Sequence, residues 1–189
     1  MLVAEPWNSL EIAKLAVAAL TPILLLALGY MVSRATRRSE TLIESRLKLY
    51  EKMAPKLNDL FCCFALIGHF EEVKPPQAIA LKRQLDKIFH AHAPLFSSNF
   101  RHRYQAFIDL CFRAFVGAAE PARLRAFVGP QIRERSVWNP EWESMFDRGN
   151  ESSIFDIADA YDDMMDAFAS DVGAPRFGRQ VRPWLVSLH

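Results

Sequence analysis

Glycine is scarce in this chain, with only 7 in 189 residues. There is no G-x-x-x-x-G-K-[ST] loop and no G-x-G-x-x-G, so a backbone cradle for phosphate has little to be built from. The strings G-x-S-x-G and H-E-x-x-H are absent too, which removes the commonest serine-hydrolase and zinc-protease signatures. Cysteine is limited to Cys62, Cys63 and Cys111. The number is odd, no C-x-x-C occurs, and a bridge between the adjacent Cys62 and Cys63 would be strained. Buried free thiols in a reducing compartment are expected. No strand-like alternation runs for long, and there is no low-complexity linker or internal repeat. With 14 Phe and 4 Trp, intrinsic disorder is not expected. The expected class is all-α, as a single N-terminal transmembrane helix followed by a soluble helical bundle.

The long apolar run is Leu15 to Ser33, LAVAALTPILLLALGYMVS, which carries no charge. Nineteen residues at ~1.5 Å each span about 28 Å, close to the thickness of a hydrocarbon core. Nine of them are Leu, Ile or Val, worth about 3 to 5 kcal/mol towards insertion. Pro22 is tolerable there if nearby groups satisfy the freed carbonyl, and Trp7 and Tyr30 suit the two interfaces. A cleaved signal peptide would begin basic and end its apolar run at small residues. Here Glu5 and Glu11 precede the run, and Gly29-Tyr30-Met31-Val32 ends it. A core helix without a polar stripe would need a larger domain around it. The basic residues Arg34, Arg37, Arg38, Arg46 and Lys48 follow the run, whereas only Lys14 precedes it. The positive-inside tendency then places residues 1–14 outside as a short extracytoplasmic tail, 15–33 in the plasma (inner) membrane, and 34–189 as a cytoplasmic helical domain.

Within that domain, Ile43, Leu47, Tyr50, Ala54, Leu57, Phe61 and Phe64 keep a heptad spacing, with Leu42, Leu49, Met53, Leu60 and Ile67 alongside. Two adjacent stripes make the broad apolar face of a bundle helix. Pro55 predicts a kink or a fresh start. Pro75-Pro76 breaks the chain before a helix over 76–93, with Ala78, Leu81, Leu85, Ile88 and His92 on one face. Ser97-Ser98-Asn99 can cap a helix over 99–117 whose stripe is Phe100, Tyr104, Phe107, Cys111 and Phe115. Short helical turns are expected over 121–128 and 130–136. Asn139-Pro140-Glu141 reads as a cap with an acidic first turn, and Gly149 as a stop. The last helix, over 153–170, opens with Ser153 and Asp156 at capping-box spacing. It buries Ile154, Ile157, Tyr161, Met164 or Met165, and Phe168.

Charge is unevenly distributed. Residues 34–140 hold 18 Lys/Arg against 10 Asp/Glu, a net of +8, and residues 141–171 hold one Arg against 10 Asp/Glu, a net of −9. The acidic stretch either packs near the basic helices or shows a solvated face. The run Asp162-Asp163-Met164-Met165-Asp166 is similar to the DDxxD string with which isoprenoid synthases hold magnesium diphosphate. No second acidic motif accompanies it, however, and Met164 and Met165 fall on a core face, so Asp159, Asp163 and Asp166 read as solvated. His90 and His92 are two apart on a helix end and do not share a face; with His69 and His102 they offer no metal-ligand spacing. No metal and no cofactor are expected, and no catalytic residue is identified.

The remaining set is arginine: Arg101, Arg103, Arg113, Arg123, Arg125, Arg133 and Arg135. Guanidinium groups hold phosphate bidentately, so Arg101, Arg103, Arg123 and Arg125 are the candidate ligand-binding residues. Duplex nucleic acid is not an expected partner, because the domain is nearly neutral and carries no reading motif. The function expected first is a non-enzymatic, membrane-anchored interaction or scaffold module. Its partners would be the bilayer through Leu15–Ser33 and a protein or a second copy. One alternative is an effector sensing an anionic, phosphorylated ligand through the Arg-rich helices. Another is a small hydrolase whose Asp and His residues are brought together by the fold.

Overall fold

A computed structural model describes residues 9–113 and 122–174. The chain divides into two compact units, Met1–Leu42 and Ile43–His189, each taken by itself. Helix α1 is Ser9–Ala65, and its first stretch makes up the first unit. Val17–Arg34 is long and apolar enough to cross a membrane by length and composition, and none of it is buried. The hydroxyl of Thr21 donates to the carbonyl of Val17 at 2.6 Å. The one polar side chain in the middle of this stretch is therefore satisfied by its own helix, next to Pro22, which has no N–H to give.

The second unit is mostly helical. The part of α1 within it is followed by α2 (Pro75–Ala91), α3 (Ser98–Cys111), a ribbon of β1 (Phe112–Arg113) and β2 (Arg123–Leu124), α4 (Val128–Glu134) and α5 (Ile154–Asp171). Helix α1 passes through Pro55 unbroken rather than starting afresh. Pro55 and Glu51, whose carbonyl loses its partner, are both exposed, so water can replace the missing bond. The buried face of this stretch is Leu49, Met53, Leu57, Leu60, Phe61 and Phe64, while Ile43 and Leu47 of the expected seam are exposed. Helix α1 ends with Leu66 in the left-handed region at φ 55°. The Ile67 amide bonds back to the Cys62 carbonyl at 3.2 Å, a Schellman closure that normally takes glycine.

Pro75 and Pro76 open α2 instead of only ending what precedes it, since the first helical positions need no N–H. Its buried residues are Pro75, Ala78, Ile79, Lys82, Leu85 and Phe89. Leu81 and Ile88 are half-buried, and the expected His92 is exposed beyond the helix end. Helix α3 starts as its cap predicts, with the Ser97 hydroxyl accepting from the Phe100 amide at 3.1 Å. It stops at Cys111, not 117. Phe112 turns extended, at φ −136° and ψ 142°, and pairs with Leu124. The domain is mostly helical, as expected, but Phe112–Arg113 and Arg123–Leu124 form a short ribbon, where a buried aromatic ladder position replaces another helical turn. The helical turn expected over 121–128 is accordingly β2 and a bend, and the expected Phe115 lies outside the described residues.

The segment after α4 is a short 3₁₀ helix, Pro140–Met145, with the Asn139 side chain accepting from the Glu141 amide at 3.0 Å. It ends before Gly149, because Phe146 is drawn into a bridge with Leu124. Gly149 instead takes a positive φ of 85°. Helix α5 is capped by Ser153, which accepts from the Phe155 amide at 3.2 Å.

Helices α1, α2, α3 and α5 share an aromatic core. Phe100 stacks on Phe168 with centroids 4.2 Å apart, Phe61 on Tyr161 at 4.4 Å, and Phe89 on Tyr104 at 4.1 Å. Phe107 is fully buried against Tyr161. Each such ring contributes about 1.5 to 3 kcal/mol by leaving water. Arg46 ties the open end of this core. Its guanidinium donates to the Leu95 carbonyl at 2.5 Å and the Asp171 carbonyl at 3.2 Å, placing a cation at the C-terminus of α5.

Candidate functional sites: an apolar pocket and a polar cavity

An apolar pocket of about 600 Å³ opens where the end of α1, helix α4 and the start of α5 meet. Phe64 and Leu66 reach it from α1 and its closing turn, Ala126 and Phe127 from the chain before α4, and Ile154 to Ile157 from the first turn of α5. Phe127 is 54% exposed and Phe155 40%, so two large rings stand at the mouth beside water. The volume is in the range of sites that take a drug-sized molecule or a few side chains. Ser152, 93% buried, lines this pocket, and its hydroxyl has no hydrogen-bond partner among the described residues. Glu134, Glu151 and Asp156 stand around it with Arg133. Arg133 is paired with Glu134 at 3.2 Å, while Glu151 and Asp156 make no ion pair among the described residues. The rim is therefore net negative.

A second cavity, also of about 600 Å³, is polar and lies by the β ribbon. Arg113, Arg123 and Arg148 line it with Glu143, Ser144 and Asp147. Arg113 bonds Asp147 at 3.1 Å, and Arg148 bonds Glu143 at 2.5 Å. The other carboxylate oxygen of the buried Asp147 has no hydrogen-bond partner among the described residues.

Of the four arginines singled out by sequence, only Arg123 lines this cavity. Arg101 is exposed on α3. Arg103 crosses from α3 to Asp163 on α5 at 2.8 Å. The acidic stretch thus packs against a basic helix at this point; Asp162, Asp163 and Asp166 are half-buried rather than fully solvated. Arg125 is a loop fastener, donating to the carbonyls of Asn150 at 2.7 Å and Asp109 at 2.8 Å. The sequence offered no means of separating these roles, because they depend on which carbonyls the ribbon brings close. Arg148 was missed for the same reason, since it sits alone within the acidic stretch.

Two buried polar knots account for other charged residues. Arg135, 7% exposed, donates to the Gln131 side chain at 2.9 Å and the Val73 carbonyl at 3.1 Å, and lies over the Phe70 ring at 5.4 Å. Gln131 in turn donates to the Cys63 carbonyl at 2.9 Å. Lys82 bonds Asp86 at 2.6 Å, and Asp86 also accepts from the Tyr104 hydroxyl at 3.0 Å. Burial, and then the Asp86 charge, raise the Tyr104 pKa far above its ordinary value.

Nucleophiles are quiet. All three cysteines are free and buried. Burial pushes the Cys63 thiol up to about 11 against the opposing pull of Arg135, and raises Cys62 and Cys111 as well. A thiol held protonated is a poor nucleophile. His69 meets Asp59 at 2.9 Å, both about a third exposed, but the pair lines neither cavity. No hydroxyl or thiol bonds that ring among the described residues. His90, His92 and His102 are exposed, and no group of His, Cys, Asp and Glu that could hold a metal ion occurs among the described residues. No family model, no curated protein and no solved structure matches the chain.

Proposed function

We propose that this protein is a single-pass membrane-anchored interaction module. Leu15–Ser33 lies in the plasma (inner) membrane with the N-terminus outside, and the helical domain works in the cytoplasm by holding a protein segment in its apolar pocket. The observation that carries the reading is the pocket at the start of α5, whose mouth presents Phe127 and Phe155 to water. Exposed aromatic rings beside an apolar cavity are the usual anchors of a protein contact. The unburied apolar stretch Val17–Arg34 supports the anchor, and the basic excess after it supports the orientation.

A second reading has its own observation. An effector responding to an anionic, phosphorylated ligand would use the polar cavity, where Arg113, Arg123 and Arg148 stand together. One experiment separates the two. The full chain is purified in mild detergent, and bound proteins and small molecules are identified by mass spectrometry, beside a Phe127→Asp/Phe155→Asp variant. The interaction reading expects a stoichiometric protein partner, or a second copy, that is lost in the variant. A partner retained by the variant, or a bound phosphorylated small molecule with no protein, overturns it; the latter supports the effector.

A further inference from the structure

The polar side chains that line the apolar pocket fall into two sets. The first is spent inside the domain. Gln131 donates to the Cys63 carbonyl at 2.9 Å and accepts from Arg135 at 2.9 Å. Arg133 and Glu134 bond each other at 3.2 Å, and the Ser153 hydroxyl caps α5 by accepting from the Phe155 amide. The second set makes no hydrogen bond or ion pair among the described residues. It is the half-buried carboxylate of Glu151, the exposed carboxylate of Asp156 and the buried hydroxyl of Ser152. All three fall within residues 151–156, at the entrance to α5, and line the same pocket as the exposed rings of Phe127 and Phe155. A carboxylate partly withdrawn from water gains more from a cation than a fully solvated one does.

Taking the pocket as the protein-binding surface proposed above, we infer that it selects a basic segment of a partner protein, one whose large apolar side chain packs against Phe127 and Phe155 while a flanking lysine or arginine meets Glu151 and Asp156. The apolar lining, with Phe64, Ala126 and Ile157, supplies the area removed from water. The rim supplies the choice of partner, because charge complementarity sets specificity and rate of encounter more than raw affinity. A serine hydroxyl can donate or accept, so a backbone group of the segment can satisfy Ser152 where the pocket leaves it unpaired. An acidic or phosphorylated segment would meet three carboxylates and one guanidinium that is already paired. The positive end of α5, which draws anions, already has Asp156 in its first turn. A lipid surface is disfavoured for the same reason, since the cytoplasmic leaflet is itself negative and repels this rim.

The test titrates the full chain in a neutral detergent, with empty micelles as the blank, against three fluorescent peptides. The first has a central Phe-Leu pair flanked by lysines, the second has glutamates in place of the lysines, and the third has Gly-Ser in place of Phe-Leu. Only the first should bind saturably. Glu151→Gln with Asp156→Asn should weaken it about fivefold, as two partly exposed ion pairs give. The same variant should flatten the loss of affinity seen as salt rises from about 0.05 to about 0.5 M. Glu151→Gln alone leaves α5 untouched and should weaken binding about twofold, which keeps the test sound if the double variant is not. Equal binding of the second or third peptide, an affinity indifferent to both variants, or no saturable binding by any peptide overturns the inference. An affinity that falls as the protein is concentrated shows a second copy in the pocket and overturns it too. Such a failure leaves the interaction reading standing, because that reading is decided by the copurifying partner and not by the peptides.

Discussion

Two stretches of α1 invite comparison, because both are apolar and helical and they end in opposite environments. Val17–Arg34 is apolar on every side and none of it is buried. Leu49–Ala65 is apolar on a broad face, with Glu51, Lys52 and Asn58 exposed on the other, and that face is the floor of the domain core. Charge separates them: Leu49–Ala65 carries Glu51, Lys52, Lys56 and Asp59, whereas Val17–Arg34 has only the terminal Arg34. A helix with a polar stripe can bury the rest against its own protein, whereas one with no polar stripe needs an apolar solvent all round.

The strongest way to break this contrast is to charge the first stretch. Leu24→Arg with Leu26→Arg should cost about 5 to 7 kcal/mol of insertion, more than the favourable apolar sum. Alkaline carbonate should then release the variant from membranes that retain the wild type. Retention of the variant would show that the stretch is not held by lipid. In the second unit, Phe107→Ala removes a fully buried ring and should cost about 3 to 5 kcal/mol in chemical denaturation. Next comes Arg135→Ala, which leaves the Val73 carbonyl and the Gln131 oxygen without their donor; the expected loss is about 3 kcal/mol. A silent Arg135→Ala would mean that the knot contributes nothing. The smallest effect is one of pH. The Cys63 pKa is raised in the folded state, so its contribution is complete below the ordinary thiol value of 9.0 and is lost as pH climbs towards about 11. Stability should therefore decline across that window, less so in Cys63→Ala once its own cavity cost is subtracted.

Much of this fold was legible in the sequence where a residue carries a local mechanism. Ser97 and Ser153 cap the helices they precede, and Phe100, Tyr104, Phe107 and Cys111 are buried at their helical spacing. What escaped was settled by distant partners. Phe112 leaves the helix because Leu124 is there to pair with it. Lys82 is buried within an apolar face because Asp86 and the Phe112 ring accept it. The site was less legible than the fold. Arg123 and Arg148 line the polar cavity, and only the first stands among the residues expected from sequence; Arg103 bonds Asp163 and Arg125 bonds the Asn150 carbonyl. The apolar pocket draws on Phe64, Phe127 and Phe155, which are far apart in sequence and share no period.

The account depends most on the domain being held at a membrane with its bulk in the cytoplasm. The direct measurement is a pair of fusions after residue 189 in a bacterial host, one to alkaline phosphatase and one to green fluorescent protein. The account predicts an inactive phosphatase and a fluorescent fusion confined to the membrane fraction. An active phosphatase would contradict the orientation, and fluorescence in the soluble fraction would contradict the anchor itself.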